Sequence, residues 1–236
     1  MNKKVYIVGA GPGDPDFLTI RALNLIKSAD VVLADDLIGD KIKALIPKEK
    51  FVNVGKKSSN LSQEEINRLI VKMARDGRVV VRLKGGDPFI FGRGSEEALY
   101  LKKSGIDFEV IPGITSAIAV PESVGIPITD RRITSTFTII TGHEKTEDSR
   151  INWKALVELG GTIVILMGVE RLERNMNKLL EHGLDPTTPV SIIEKGLTDD
   201  ERVVFGNVAN ISKIAKDENI TAPAVIVVGR VVNLLR

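Results

Sequence analysis

The densest concentration of chemistry-bearing residues lies at 83–99, LKGGDPFIFGRGSEEAL. Glycines at 85, 86, 92 and 94 flank one carboxylate, Asp87, and an apolar triplet, Phe89, Ile90 and Phe91. Glycine lets backbone come close to a bound molecule, and an acid beside it accepts hydrogen bonds from hydroxyl or ammonium groups. The segment follows an apolar run, RVVVRLK at 78–84, that reads as a strand. It therefore stands at the carboxyl end of a strand, where open α/β sheets bind ligands. With Asp87 at its centre rather than Lys or Arg, the loop suits a cationic or hydroxyl-bearing ligand better than a phosphate. On their own, the three apolar residues read as core packing. Ser95, Glu96 and Glu97 read as a helix start whose acids complement the dipole.

A second glycine loop, VGAGPGDPD at 8–16, follows the first strand, where a dinucleotide fold carries Gly-x-Gly-x-x-Gly. Gly9 and Gly11 fit that pattern, but Asp14 stands at the last position, with Gly13 one place early. Pro12 and Pro15 remove two backbone donors, and Asp14 puts negative charge where a pyrophosphate needs positive potential. A nicotinamide or flavin site is disfavoured. No Gly-x-x-x-x-Gly-Lys-Ser/Thr occurs, which excludes a P-loop. S-adenosylmethionine fits the two loops better. It brings a sulfonium, an ammonium, ribose hydroxyls and an adenine that wants apolar walls such as Ile90 and Met167.

Composition narrows the remaining classes. Thirty-three Lys and Arg against 31 Asp and Glu leave a net charge of +2, too little for a protein that coats nucleic acid. No cysteine is present, so there is no disulfide framework and no thiolate nucleophile. His143 and His182 are the only histidines, too few for a histidine metal centre, and no metal site is expected. No run approaches the ~20 apolar residues of a membrane helix, and the opening MNKKVYIVGAG does not read as a signal peptide. The expectation is a soluble, cytoplasmic protein that binds neither membrane nor nucleic acid.

The elements that must position these loops alternate. Runs at 4–9, 31–35, 51–55, 78–84 and 107–111 read as strands, separated by amphipathic segments. The clearest helix starts at Ser62, which forms a capping box with Glu65, and continues with Ile66, Leu69, Ile70 and Met73 on one face. Strands alternating with helices imply crossovers and a mostly parallel sheet. The proline-broken stretch at 111–132 interrupts the rhythm, and the domain junction is placed near its start, giving domains at 1–112 and 113–236. The second half carries strands at 137–141, 162–167, 189–194, 202–206 and 224–232, with a hairpin across 193–206 that makes the sheet mixed.

Taken in order, VGAGPGDPDFLTIRAL, ADVVLADDLI, VGKK, VRLKGGDPFIFGRGSEE, VIPGITSAIA, GIPITDRR, TGHE, LMGV and APAVIVVGRVV resemble the tetrapyrrole methylase superfamily, most closely its uroporphyrinogen-III C-methyltransferase branch. The resemblance spans nearly the whole chain. It implies two α/β domains with the methyl donor in the cleft between them, and a homodimer. It also implies transfer of methyl groups from S-adenosylmethionine to rings A and B of uroporphyrinogen III. The products are precorrin-2, at the branch towards sirohaem and cobalamin, and S-adenosylhomocysteine. Carried over by position, the donor set is Pro12, Gly85, Gly86, Asp87, Ile90, Thr115, Ser116, Met167, Gly196, Pro223 and Ala224. The proton acceptor is Asp35 and the proton donor Lys56.

Two departures stand out. Where relatives commonly read Tyr-Asp-Arg, this chain has Ala34-Asp35-Asp36, and Asp130 stands where relatives often carry histidine. Without the resemblance, Asp35 and Asp36 read as solvated strand-end acids. A substrate with eight carboxylates requires local cations, for which Lys56, Lys57, Lys84, Arg93, Arg131 and Arg132 are candidates. Arg93 and Arg131 are preferred because the guanidinium fork binds carboxylates bidentately. A later corrin-pathway C-methyltransferase is the alternative, and a macromolecule methyltransferase of the same fold a weaker one.

Overall fold

A computed structural model describes residues 4–55, 59–144 and 150–235. The backbone forms two compact units, the first ending at Thr115 and the second beginning at Ser116.

In the first unit five strands, β1 (Val5–Gly9), β2 (Val31–Ala34), β3 (Phe51–Asn53), β4 (Val80–Lys84) and β5 (Phe108–Ile111), are hydrogen-bonded in the order β3-β2-β4-β1-β5. Every pairing is parallel. Among the described residues the helices α1 (Ile20–Ser28), the short α2 (Asp40–Lys43), α3 (Gln63–Arg75) and α4 (Gly94–Lys103) lie between them. Side chains alternate across the strands and divide the core in two. Val8, Val32, Val81 and Leu83 pack with Ala22 and Ile26 of α1 on one face. Val5, Ile7, Leu33 and Val80 pack with Ile66 and Ile70 of α3 and Ala98 and Leu101 of α4 on the other. Strands covered on both faces must be apolar throughout, which explains the unbroken Val and Ile runs.

The caps behave as the sequence requires. Ser62 accepts from the Glu65 amide, and the Glu65 carboxylate accepts from the Ser62 amide at 2.7 Å, so two orphan donors at the start of α3 are satisfied reciprocally. Ile66 and Ile70 are buried, and Leu69 and Met73 pack against the same core while partly exposed.

The second unit holds β6 (Phe137–Thr141), β7 (Thr162–Leu166), β8 (Pro189–Glu194), β9 (Arg202–Asn207) and β10 (Ala224–Val228), in the order β6-β7-β10-β8-β9. β6 and β7 are parallel; β10 is antiparallel to both β7 and β8, and β8 and β9 form the expected hairpin. The sheet is mixed. Helix α5 (Ser116–Ser123) covers one face through Ala117 and Val120. α6 (Trp153–Leu159), α7 (Leu172–Glu181) and α8 (Ile211–Asp217) cover the other through Trp153, Met176, Leu179 and Ile211. One expectation needs correction: the last strand stops at Val228 rather than 232. Gly229, at φ +145°, turns the chain into a short 3₁₀ segment, Arg230–Asn233, whose Val231 and Val232 are buried beside the sheet.

Replacing the helix cap, Ser62→Ala, removes the acceptor for the Glu65 amide. The slowest-exchanging amides of β4 are expected to lose about 1 kcal/mol of opening free energy in native-state hydrogen exchange.

Candidate functional site

In the first unit, β1 and β4 are neighbours, yet the chain leaves them to opposite faces: after β1 it enters α1, after β4 it enters α4. Such a divergence between neighbouring strands marks their carboxyl ends as the place where parallel sheets admit a ligand. Both glycine loops lie there.

Backbone contacts join the two loops. The Ala10 amide donates to the Lys84 carbonyl at 2.7 Å, and Gly11 and Gly86 exchange hydrogen bonds of 3.2 and 2.7 Å. A Cβ on Gly9 would stand 2.5 Å from the Gly113 nitrogen and 2.7 Å from the Gly86 carbonyl oxygen, so no side chain fits. Gly113, after β5, is equally crowded by Gly86. Asp87 fastens the assembly: Oδ1 accepts from the Phe89 amide at 2.8 Å and Oδ2 from the Gly113 amide at 3.1 Å. Asp87 therefore builds the loop with both carboxylate oxygens. Gly85 is exposed, with Leu37 the nearest group to its missing side chain, and Pro12 is half-buried in the facing loop.

Phe89, Ile90 and Phe91 are not core residues. They are 53%, 38% and 43% exposed, because the loop turns outward before α4 begins. The turn forces Phe91 and Arg93 to φ +52° and +60°, a left-handed conformation costly for residues with a side chain. Gly92 and Gly94 press on the Pro88 carbonyl, and a Cβ on Gly94 would stand 2.5 Å from its oxygen. Strained backbone supporting exposed apolar side chains is a signature of a binding loop.

Asp35, directly after β2, is not a solvated strand-end acid. Its Oδ1 accepts from Arg82 Nη2 at 2.6 Å, and Oδ2 lies 3.9 Å from Lys84 Nζ. Arg82 and Lys84 are 1% and 4% exposed on β4, and both donate to Glu97 Oε1 of α4 at 3.0 Å. Glu97 stands in the first turn of α4, as expected, and is buried there; one expectation is corrected, since Lys84 belongs to an interior ion cluster rather than to a cationic trough. Burial, with Arg82 adding to it, pulls the Lys84 ammonium below its ordinary value despite the nearby acids. Asp36 lies against Gly55, whose missing side chain makes room for it. Lys56, the expected proton donor, and Lys57 lie outside the described residues.

In the second unit, Met167, Gly196, Pro223 and Ala224 gather at one end of the sheet. Met167 follows β7, Ala224 opens β10 opposite Glu194 of β8, and Val225 pairs with Leu166. The Lys195 amide donates to the Pro223 carbonyl at 2.8 Å. Glu194, 2% exposed, ties this end together by accepting from the amide (2.8 Å) and hydroxyl of Thr221 and pairing with Arg202 at 3.2 Å. Met167, Lys195 and Leu197 all have left-handed backbone, and Met167 is 51% exposed. Ser116 begins α5, whose Val120 closes over Gly196; Thr115 ends the first unit.

The two preferred arginines differ. Arg93 is gripped bidentately by Glu96 of its own helix, at 3.0 and 2.6 Å, which holds Glu96 below the usual carboxylate range. Asp130 grips Arg132 in the same way, at 2.9 and 3.0 Å, and is held low by it. Arg131 is exposed and makes no side-chain hydrogen bond or ion pair among the described residues. No group of three or more potential metal-ligating side chains occurs among the described residues. No described helix is long and apolar enough to cross a membrane.

A family model described as Tetrapyrrole (Corrin/Porphyrin) Methylases matches residues 4–212, and the chain belongs to that family. Among its relatives, the S-adenosyl-L-methionine-dependent uroporphyrinogen III methyltransferase of Methanosarcina barkeri is 52% identical, over 98% of this chain and 92% of that one. The uroporphyrinogen-III C-methyltransferase of Methanocaldococcus jannaschii is 51% identical, over 100% and 99%. A crystal structure of the Thermus thermophilus uroporphyrin-III C-methyltransferase with S-adenosyl homocysteine is similar at TM-score 0.86 and 39% identity, covering 98% of this chain and 100% of that one.

Asp87→Ala frees the Gly113 and Phe89 amides. Loss of these charge-assisted bonds is expected to accelerate hydrogen exchange at both amides by about tenfold or more, while β2 and β3 exchange as before.

Proposed function

We propose that the chain transfers methyl groups from S-adenosylmethionine to rings A and B of uroporphyrinogen III, releasing precorrin-2 and S-adenosylhomocysteine. The observation that carries this reading is 52% identity across 98% of the chain to an enzyme named for that donor and substrate. The local geometry is compatible with it. The donor offers hydroxyls, an ammonium and an adenine, and the first unit presents exposed Gly85, half-buried Gly86 and outward-facing Phe89, Ile90 and Phe91. In the second unit, Met167, Gly196, Pro223 and Ala224 present an exposed thioether and main chain on one sheet end. Asp87 within the loop, Thr115 and Ser116 at the unit boundary, and Pro12 complete the proposed donor set.

When bound, the donor supplies a methyl group already activated by its sulfonium. What this chain's residues contribute is alignment, which can lower a barrier by up to ~7–11 kcal/mol. Asp35 is assigned to accept the proton that the methylated ring must lose, a role worth roughly 10²–10⁴-fold. Lys56 is assigned to return one. Arg131, with its fork uncommitted, and Arg93, which would exchange Glu96 for a substrate acid, are assigned to substrate carboxylates. With this activity goes a cytoplasmic homodimer feeding sirohaem or cobalamin synthesis.

The deciding experiment incubates the protein with S-adenosylmethionine and uroporphyrinogen III under anaerobic conditions and weighs the product. Two added methyl groups are expected; a single methyl, or none, overturns the assignment. Charge reversal at Arg131→Glu is expected to raise the KM for uroporphyrinogen III by about ten- to hundredfold. S-adenosylhomocysteine affinity, measured by calorimetry, should stay near the wild-type value; equal losses in both would remove Arg131 from the substrate set.

A further inference from the structure

We propose that Glu97 is a positioning residue for the transfer reaction: from inside the first unit it fixes Arg82 and Lys84, and through them the carboxylate of Asp35. The inference rests on the function proposed above and on the role assigned there to Asp35.

The geometry is directional. Glu97 Oε1 accepts three hydrogen bonds, each of 3.0 Å, from Gln63 Nε2 of α3, Arg82 Nε and Lys84 Nζ. Arg82 Nη1 donates to the Leu83 carbonyl at 3.0 Å and the Leu33 carbonyl at 3.4 Å. The guanidinium is thus clamped by two strand backbones and by a carboxylate that a helix holds. Its remaining edge, Nη2, meets Asp35. Side-chain exposure falls to 2%, 4% and 0% at Arg82, Lys84 and Glu97 but reaches 29% at Asp35. Of the four charged groups Asp35 is the most exposed, and it stands at the carboxyl end of β2, beside β4 and its glycine loop.

Stability alone gives a weak reason for such a cluster. Desolvating four charged groups costs several kcal/mol each, and apolar residues of similar volume commonly do as well or better. A buried ion cluster does supply a side chain held at one angle, since each partner restricts the next. Two cations balance two anions here. Deleting the Glu97 charge leaves Arg82 and Lys84 with Asp35 alone, which draws its carboxylate inward. The substitution Glu97→Gln suits the test because Glu97 Oε2 is buried without a hydrogen-bond partner among the described residues. The amide oxygen can occupy the Oε1 position, so shape is kept while charge is lost.

The experiment is a mutant cycle in the full chain, read by steady-state kinetics with S-adenosylmethionine and uroporphyrinogen III. Glu97→Gln and Asp35→Asn are each expected to lower kcat by about tenfold or more. The S-adenosylhomocysteine Kd of Glu97→Gln should stay within about twofold, and the double variant should be no slower than the slower single within the same margin. Circular dichroism checks that each variant folds. Arg82→Lys, which keeps the charge but loses the fork, carries the same cycle with Asp35→Asn if Glu97→Gln does not fold. A kcat for Glu97→Gln close to wild type, an unimpaired Asp35→Asn, or losses that multiply in the double variant would each overturn the inference. A wild-type chain that adds no methyl group overturns the functional reading itself, a result distinct from all of these.

Discussion

Three backbones touch at one point. Gly9 at the end of β1, Gly86 after β4 and Gly113 after β5 come so close that a single added carbon on Gly9 would collide with main-chain atoms of the other two loops. This contact brings the ends of three parallel strands into one floor, and Asp87 bolts it by holding the Phe89 and Gly113 amides. The consequence propagates outward. Residues 89–91 turn to the surface, α4 starts where the Gly94 amide meets the Pro88 carbonyl, and Glu97 follows in its first turn. The apolar wall and the interior ion cluster both descend from that one steric condition.

Much of this was legible in the chain itself. Pure Val and Ile runs marked strands buried on both faces, and the glycine loops marked the carboxyl ends of β1 and β4, where backbones meet too closely for side chains. Boundaries were less legible. The reading of 224–232 as one strand overran because Val231 and Val232 are as apolar as the strand, although they are buried from a 3₁₀ segment after the Gly229 turn. Asp35 was read into the second strand, yet the strand closes at Ala34, and the acid is claimed by Arg82.

The misread residues share a cause. Phe89, Ile90 and Phe91 have core chemistry, yet the loop carries them to the surface. Glu97 has surface chemistry, and only the approach of α4 to β4 gives it two cations to satisfy. In each case the deciding partner is distant in sequence: Gly113 for Asp87, Arg82 for Glu97, Asp35 for Arg82. One local signal was available. A charge at Arg82, inside a strand otherwise fit for burial on both faces, requires an interior counter-ion, and Glu97 supplies it.

The left-handed residues carry a trade-off. Phe91, Arg93, Met167, Lys195 and Leu197 each hold a conformation that costs an L-residue roughly 1–2 kcal/mol and costs glycine almost nothing. A chain with glycine at these sites would carry less torsional load, although at Leu197 it would also lose a side chain packed against the core. Such a chain would also lose the phenyl ring, the thioether and the guanidinium displayed there. Torsional ease and displayed side-chain chemistry compete for the same five positions, and a gain in one is a loss in the other.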